Sequence, residues 1–314
     1  MSTVDEAALM PKDAALEALR EAVAAYNAER GTVTNTMYVN VVLIFGGYVV
    51  FAGFIAYLAW TEIARDIVGI VLGVLFFLGT VVWRFALAPA KRFQQTLRDR
   101  MLPLVFGFID EVHYVHGAEP RFIKSMPGKE LVARDRSEHG DMIAGRHEGL
   151  AFTLSETELS TGSGKSRATT FKGVIFHFIR EQEFPGLLLA VRKPNSFQLF
   201  VRDFFGGSTM PLVTSGNPEV DTALEFRTDR PEAATPLVQG TLAKALDYLA
   251  TEWRDDVVRL ALSGRDCYLL VPSKKNFFEL PPVDTPIDFD RHLRPMIRDL
   301  VTLLATAQLV NKIG

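Results

Sequence analysis

Cysteine is nearly absent: Cys267 is the single one in 314 residues. That excludes an internal disulfide and any metal site built on paired thiolates. An excess of charge of one sign is missing too. Lysine and arginine number 34 against 37 aspartates and glutamates, a net charge of -3. No dedicated nucleic-acid binder is expected from that balance. The aromatics do not interleave with a basic stripe, so a base-stacking platform is not expected either. No G-x-S-x-G elbow occurs, and no G-x-G-x-x-G follows a strand. The most informative absence is local. There is no charged residue between Arg30 and Glu62, and none from Ile67 to Trp83.

These uncharged stretches are long. Met37 to Trp60 and Ile67 to Ala88 are both predominantly apolar, and only Thr61 to Asp66 lies between them. A membrane-crossing helix needs about 20 such residues. We read a transmembrane helical hairpin with spans 37–60 and 67–88. Tyr38, Trp60 and Trp83 stand near the run ends, where amphipathic rings favour the interface, and Arg84 is close enough to an end to snorkel. Gly69 and Gly73 form a GxxxG, with Gly46, Gly47 and Gly53 on the first run, so a close helix approach is expected there. Arg84, Lys91, Arg92, Arg98 and Arg100 follow the second span, and Arg20 and Arg30 precede the first. The short loop holds only Arg65. Basic residues stay inside, so both termini are expected in the cytoplasm, in a cell inner membrane.

The flanking segments carry their own patterns. Residues 1–36 read as an amphipathic cytoplasmic helix with Leu9, Leu16, Leu19, Val23 and Tyr26 at near-heptad spacing. The seam suits either a coiled coil with a partner or a face laid on the same protein or the membrane. After the second span, Phe93, Leu97, Met101 and Leu104 share a helical face. Residues 89–314 read as one α+β cytoplasmic domain with an antiparallel sheet and packed helices. Strands are expected in Met142 to Thr161, Arg167 to Glu181, Gly186 to Arg192 and Ser196 to Asp203, with turns at TGSGKS and KPN. Leu224 to Asp229 forms another. Thr228 or Asp229 caps a helix reaching Trp253, with Leu237, Leu242, Leu246 and Leu249 inside. A hairpin turning at Ser263 to Asp266 follows, then a last helix from Asp288 to Val310. Its core face is Leu293, Ile297, Leu300, Leu304 and Leu309.

Candidate chemistry thins out on inspection. Gly164, Lys165 and Ser166 end like a phosphate loop, but Leu159 stands where its first glycine belongs, and a strand follows instead of a helix. His113 and His116 lie in strand or loop without a carboxylate pattern. His139 and His147 stand near Asp135, Glu138 and Asp141, but such proximity in sequence defines no metal site. His177 is expected on the outward face of its strand, and His292 in solvent. No catalytic, cofactor-binding or metal-ligating residue is assigned.

One resemblance can be stated on particular residues. Gly145, Gly149, Phe152 and Glu156 form G-x-x-x-G-x-x-F-x-x-x-E. Phe171, Lys172 and Gly173 then lead into alternating aromatics that include Phe176. Glu225 and Phe226 precede the long helix, and CYLLVP, NFFEL and the last helix follow. Together these resemble the bacterial DUF3137 family, over roughly residues 85–310. The resemblance implies two N-terminal spans before a cytoplasmic domain of unknown function, with no catalytic residue to carry over. It also implies, by association alone, a small helical membrane protein of the LemA type as a partner. Here FRTDRPE is more compact than the family's longer acidic-aromatic stretch. Val174, Phe176 and Phe178 share a face, and Gly173 marks a bulge or close approach.

The sequence thus leads to an expectation of a membrane-anchored interaction or scaffold protein. Its partners would be the lipid bilayer, another membrane protein, or a second copy through the hairpin or N-terminal helix, and not nucleic acid. The alternative is a membrane-tethered enzyme or a sensor of a small anionic ligand, with Arg121, Lys172 and Arg192 gathered around it.

Overall fold

The structure, a computed structural model, describes residues 9–62, 65–194, 210–253 and 255–312. The expected strand from Ser196 to Asp203 lies outside them. The described residues form two compact units. One draws on residues 16–104 and 280–292, the other on 1–15, 105–279 and 293–314.

The first unit is helical. Helix α1 (Asp13–Asn40) runs through a π-turn (Val41–Phe45) directly into α2 (Gly46–Glu62). The expected N-terminal helix and first apolar run are therefore one rod, since nothing between them breaks the helix. Helix α3 (Arg65–Ala86) returns alongside α2. Two helical stretches are long and apolar enough to cross a membrane, within Asp13–Thr61 and Val68–Ala86. Their large side chains face outward: Trp60 and Phe76 are each 77% exposed. The helices do not meet at Gly69 and Gly73, where an added Cβ would touch nothing within 4 Å. They meet at Gly79, whose added Cβ would lie 3.1 Å from the Tyr48 ring. Tyr48 Oη donates to the Leu75 carbonyl, and Phe45 packs edge-on against Trp83 at 4.9 Å.

The lower part of the rod carries its own cover. Leu19, Val23 and Tyr26 are buried. Tyr26 stacks at 5.2 Å on Phe93 of α4 (Ala88–Val105), and Arg20 lies over the Phe289 ring at 5.1 Å. Segment 280–292 is held through its backbone. The Asn27 amide donates to Ile287 O at 2.8 Å and accepts from Ile287 N–H at 2.9 Å. Arg30 donates to Asp284 O at 2.9 Å, and Thr34 to Val283 O at 3.2 Å. Residues 27, 30 and 34 share one helical face, so one stripe of α1 holds the backbone of residues 283–287. On α4 the buried stripe is Met101, Leu102 and Val105, while Leu104, which the spacing put on one face with Met101, is 51% exposed.

The second unit is α+β. Its seven strands are β1 (Asp110–His116), β2 (Arg136–His147), β3 (Leu150–Thr161), β4 (Ala168–Arg192), β5 (Leu212–Val213), β6 (Leu224–Thr228) and β7 (Arg259–Pro272). They form one antiparallel sheet in the order β1-β2-β3-β4-β6-β5, and β7 pairs with β4. Two sequence expectations are corrected here. Arg167 to Glu181 and Gly186 to Arg192 belong to one 25-residue strand. Likewise β7 does not turn back at Ser263 to Asp266. Gly264, at φ +58°, sits in a register shift against Phe184, and β7 continues. Local signals read as turns because Pro185, Gly186 and Gly264 disrupt both strands. Each strand nonetheless offers apolar residues on both sides of its irregularity, so bulges absorb the disruption and pairing resumes.

Those bulges curl the β4–β7 ribbon. Phe171 and Val191, at opposite ends of β4, belong to one core cluster with Ile175, Leu189, Ala261 and Leu270. Helices α5 (Pro218–Ala223), α6 (Pro231–Leu237), α7 (Ala243–Glu252) and α8 (Arg294–Asn311) complete the unit. Neither expected cap starts α6. Thr228 Oγ1 accepts from Arg230 N–H at 2.9 Å, and Asp229 Oδ1 accepts from Leu187 N–H at 2.7 Å. Asp229 thus clamps the β4 irregularity. Residues Val238–Leu242 join α6 to α7 across a kink at Gly240, whose φ of -102° and ψ of -125° are not helical, and Val238 is buried where Leu237 was expected. Helix α8 packs on β4 and α7 and is buried all round from Leu300 to Ala307, as an apolar helix should be.

Candidate functional site

Two open polar clefts adjoin on the sheet unit, and Lys172, Ser273 and Lys274 line both. The first, about 570 Å³, is acidic on the β2–β3 side, with Glu138, Glu156 and Glu158. The second, about 430 Å³, is formed where the ends of the ribbon meet: Thr169 to Lys172 and Arg192 from β4, Arg259 and Pro272 from β7.

Gly173 is what makes this junction. Its added Cβ would lie 2.2 Å from Val271 O and 2.7 Å from Ser273 N. Only glycine lets β7 approach that closely, which carries Ser273 and Lys274 to Lys172. Ser273 N–H then donates to Lys172 O at 3.0 Å.

In the acidic cleft Glu156 is a half-buried carboxyl. Its Oε1 accepts from Phe278 N–H at 3.2 Å. Burial pushes its pKa above the ordinary carboxylate value, backbone donors pull it down, and the Asp141 charge adds a further push upward. Gly140 leaves it room, since a Cβ there would lie 2.9 Å from Glu156 Oε2. His139 Nδ1 meets Thr157 Oγ1 at 3.1 Å, and burial holds its pKa down against the pull of Glu119. Glu138 is paired with Arg167 at 2.6 Å, and Glu158 accepts from Thr169 at 3.0 Å. No three His, Cys, Asp or Glu side chains gather into a metal-holding group among the described residues.

The motif residues take structural places. Gly145 lies against Ile109 and Asp110, where its Cβ would come within 2.4 Å of Ile109 Cγ2. Gly149, at φ +83°, turns β2 into β3. Phe152 stacks on Phe176 at 5.2 Å, both buried, and Phe171 fills the ribbon core. Glu225 pairs with Arg227 at 2.6 Å, and Phe226 is buried on the opposite side of β6. Among these, Glu156, Phe171, Lys172 and Gly173 line a cleft. Of the three basic residues expected around an anion, Lys172 and Arg192 come together and Arg121 does not. Arg259 and Lys274 take their places beside them. No local signal marks those two, since β4–β7 pairing alone brings them there.

The histidines are placed as follows. His177 is not outward but half-buried: its Nε2 meets Asp266 Oδ1 at 2.7 Å, between Phe122 and Tyr268, each 5.0 Å away. Burial lowers its pKa, and the Asp266 contact partly restores it. His116 Nδ1 meets the buried Asp141 carboxylate at 2.6 Å, while Tyr114 Oη donates to the same oxygen at 2.5 Å. His292 Nδ1 accepts from Asp288 N–H at 2.8 Å. The GSGKS stretch is a turn between β3 and β4, closed by Ser166 Oγ donating to Ser163 O at 2.8 Å.

A curled antiparallel sheet with packed helices, joined in one chain to a pair of long apolar helices, defines an α+β protein with a helical hairpin. The family model DUF3137, described as a protein of unknown function, matches residues 169–312. Over that segment the chain is similar to the DUF3137 family. The match starts later than the resemblance suggested, so Gly145, Gly149, Phe152 and Glu156 lie outside it. No curated protein and no solved structure matches the chain.

Proposed function

We infer that the protein is a membrane-anchored interaction or scaffold protein whose sheet unit faces the cytoplasm. The observation that carries this reading is the outward apolar surface of the two long helices, with Trp60 and Phe76 each 77% exposed. Lipid satisfies such a surface, and water does not. The basic residues after the second span and before the first support inward termini. Partners would be the bilayer, another membrane protein of the LemA type by association with the family, or a second copy.

Alkaline carbonate extraction and reporter fusions test the anchor together. The full chain should stay with the membrane pellet, and a reporter after Gly314 should be active only when it works inside the cytoplasm. Release into the supernatant would sink the anchor, and a reporter active only outside would reverse the orientation. A second reading, a tethered sensor of a small anionic ligand, is favoured by one observation: Lys172 and Arg192 line the same cleft.

A further inference from the structure

The mouth of the curled ribbon has a charge balance unlike that of the whole chain. Lys172, Arg192, Arg259 and Lys274 line it against Asp255 and Asp256 alone, in a protein whose net charge is -3. The two carboxylates are already engaged. Asp256 pairs with Arg192 at 3.1 Å, and Asp255 Oδ2 accepts Lys274 N–H at 2.9 Å. Arg259 is half-buried, and its Nε is shielded from solvent without a hydrogen-bond partner among the described residues. Burial disfavours its charge, Asp256 attracts it and Arg192 repels it. The Lys172 and Lys274 ammonium groups are exposed and form no ion pair with a described residue. The hydroxyls nearby are spent: Thr169 donates to Glu158 and Thr170 to Ala133 O. What remains to donate is cationic, and it exceeds the local acids by two charges.

We propose that this cleft binds the dianionic head of a phosphomonoester. A guanidinium fork matches phosphate oxygens bidentately, and lysines add point charge. A dianion would neutralise the excess and relieve the repulsion between Arg192 and Arg259. The acidic neighbour cleft, with Glu156 and Glu158, repels a second phosphate. The site therefore selects a terminal phosphomonoester over a polyphosphate or nucleic acid. This deepens the sensor reading and stands independently of the membrane anchor.

Calorimetric titration of the full chain in neutral detergent tests it, with glycerol phosphate as the monoester and dimethyl phosphate as the monoanionic control. The monoester should bind at least about tenfold more tightly than the diester, as expected for one lost charge-assisted contact. R259Q should weaken it by about tenfold or more, and so should the exposed pair K172Q/K274Q, which leaves the core untouched. R121Q, away from the cleft, should change nothing. Mixed micelles containing phosphatidic acid in place of phosphatidylcholine separate two sources of the same chemistry. Lost monoester heat there assigns a lipid headgroup, retained heat assigns a free ester, and either supports the site. No monoester binding, or binding that survives both R259Q and K172Q/K274Q, overturns the proposal. A failed carbonate extraction would leave this titration readable, so the two ideas fail separately.

Discussion

The helical unit and the sheet unit use the same apolar residues in opposite ways. In the helices, phenylalanines such as Phe76 and Phe77 point outward, 77% and 67% exposed. In the sheet, Phe176 and Phe178 are buried to 0% and 1%. Glycines diverge likewise: an added Cβ at Gly69 meets nothing, while one at Gly173 meets the Val271 backbone. An apolar residue inside a packed core is held by its neighbours, whereas one on these helices is held by whatever medium surrounds them. The contrast teaches that composition alone does not assign a role to an apolar residue; its surroundings do.

The largest expected effect comes from truncating the buried member. Phe176→Ala should cost about 3–5 kcal/mol in a denaturant titration, whereas Phe77→Ala should stay within about 0.5 kcal/mol. Equal losses would break the comparison. Reversing the chemistry on the helix sharpens it. Phe77→Lys should cost about 2.5–3.5 kcal/mol of insertion free energy, read as reduced carbonate-resistant protein. A lysine there with no effect on partitioning would place that face out of lipid. Next come the glycines. Gly173→Ala should destabilise the sheet unit by about 2 kcal/mol through backbone displacement, while Gly69→Ala should be neutral or slightly stabilising in a helix.

The smallest effect is electrostatic. Burial pushes the Asp299 carboxyl up from 3.8 to about 6, with Arg298 pulling it down and Glu252 pushing it further up. A raised folded-state value for an acid means the fold holds the proton more tightly than the unfolded chain does. Asp299 therefore costs stability as pH rises from 3.8 through 6, and the full penalty persists above that. Asp299→Asn should stabilise the protein by about 1 kcal/mol at pH 7, after allowing for partial solvent screening, and by nothing near pH 3.5. A pH-independent gain would assign the effect to packing instead.

Much of the helical unit was legible in the residues, because long uncharged runs have few alternative fates. The alternating strands around Val174, Phe176 and Phe178 were equally plain. Reading failed where local punctuation competed with tertiary pairing. Pro185, Gly186 and Gly264 mark turns in isolation, but β4 and β7 hold each other through them. His177 was misplaced for the same reason: its strand's second face is covered by Phe122 and Tyr268. The candidate site was half legible. Lys172 and Gly173 stand out beside each other in the sequence, and Arg192 is among its basic candidates, but nothing near Arg259 or Lys274 in the chain announces them.

Local pattern in the sequence was enough for the apolar helices and for the antiparallel character of the sheet. Both follow from short-range pattern: hydropathy over one helix and alternation over one strand. That both ends of β4 and both ends of β7 meet follows instead from long-range strand pairing. That closure depends on bulges whose cost is repaid by pairing between strands more than sixty residues apart. The cationic cleft exists because of it, and no window of local sequence contains it.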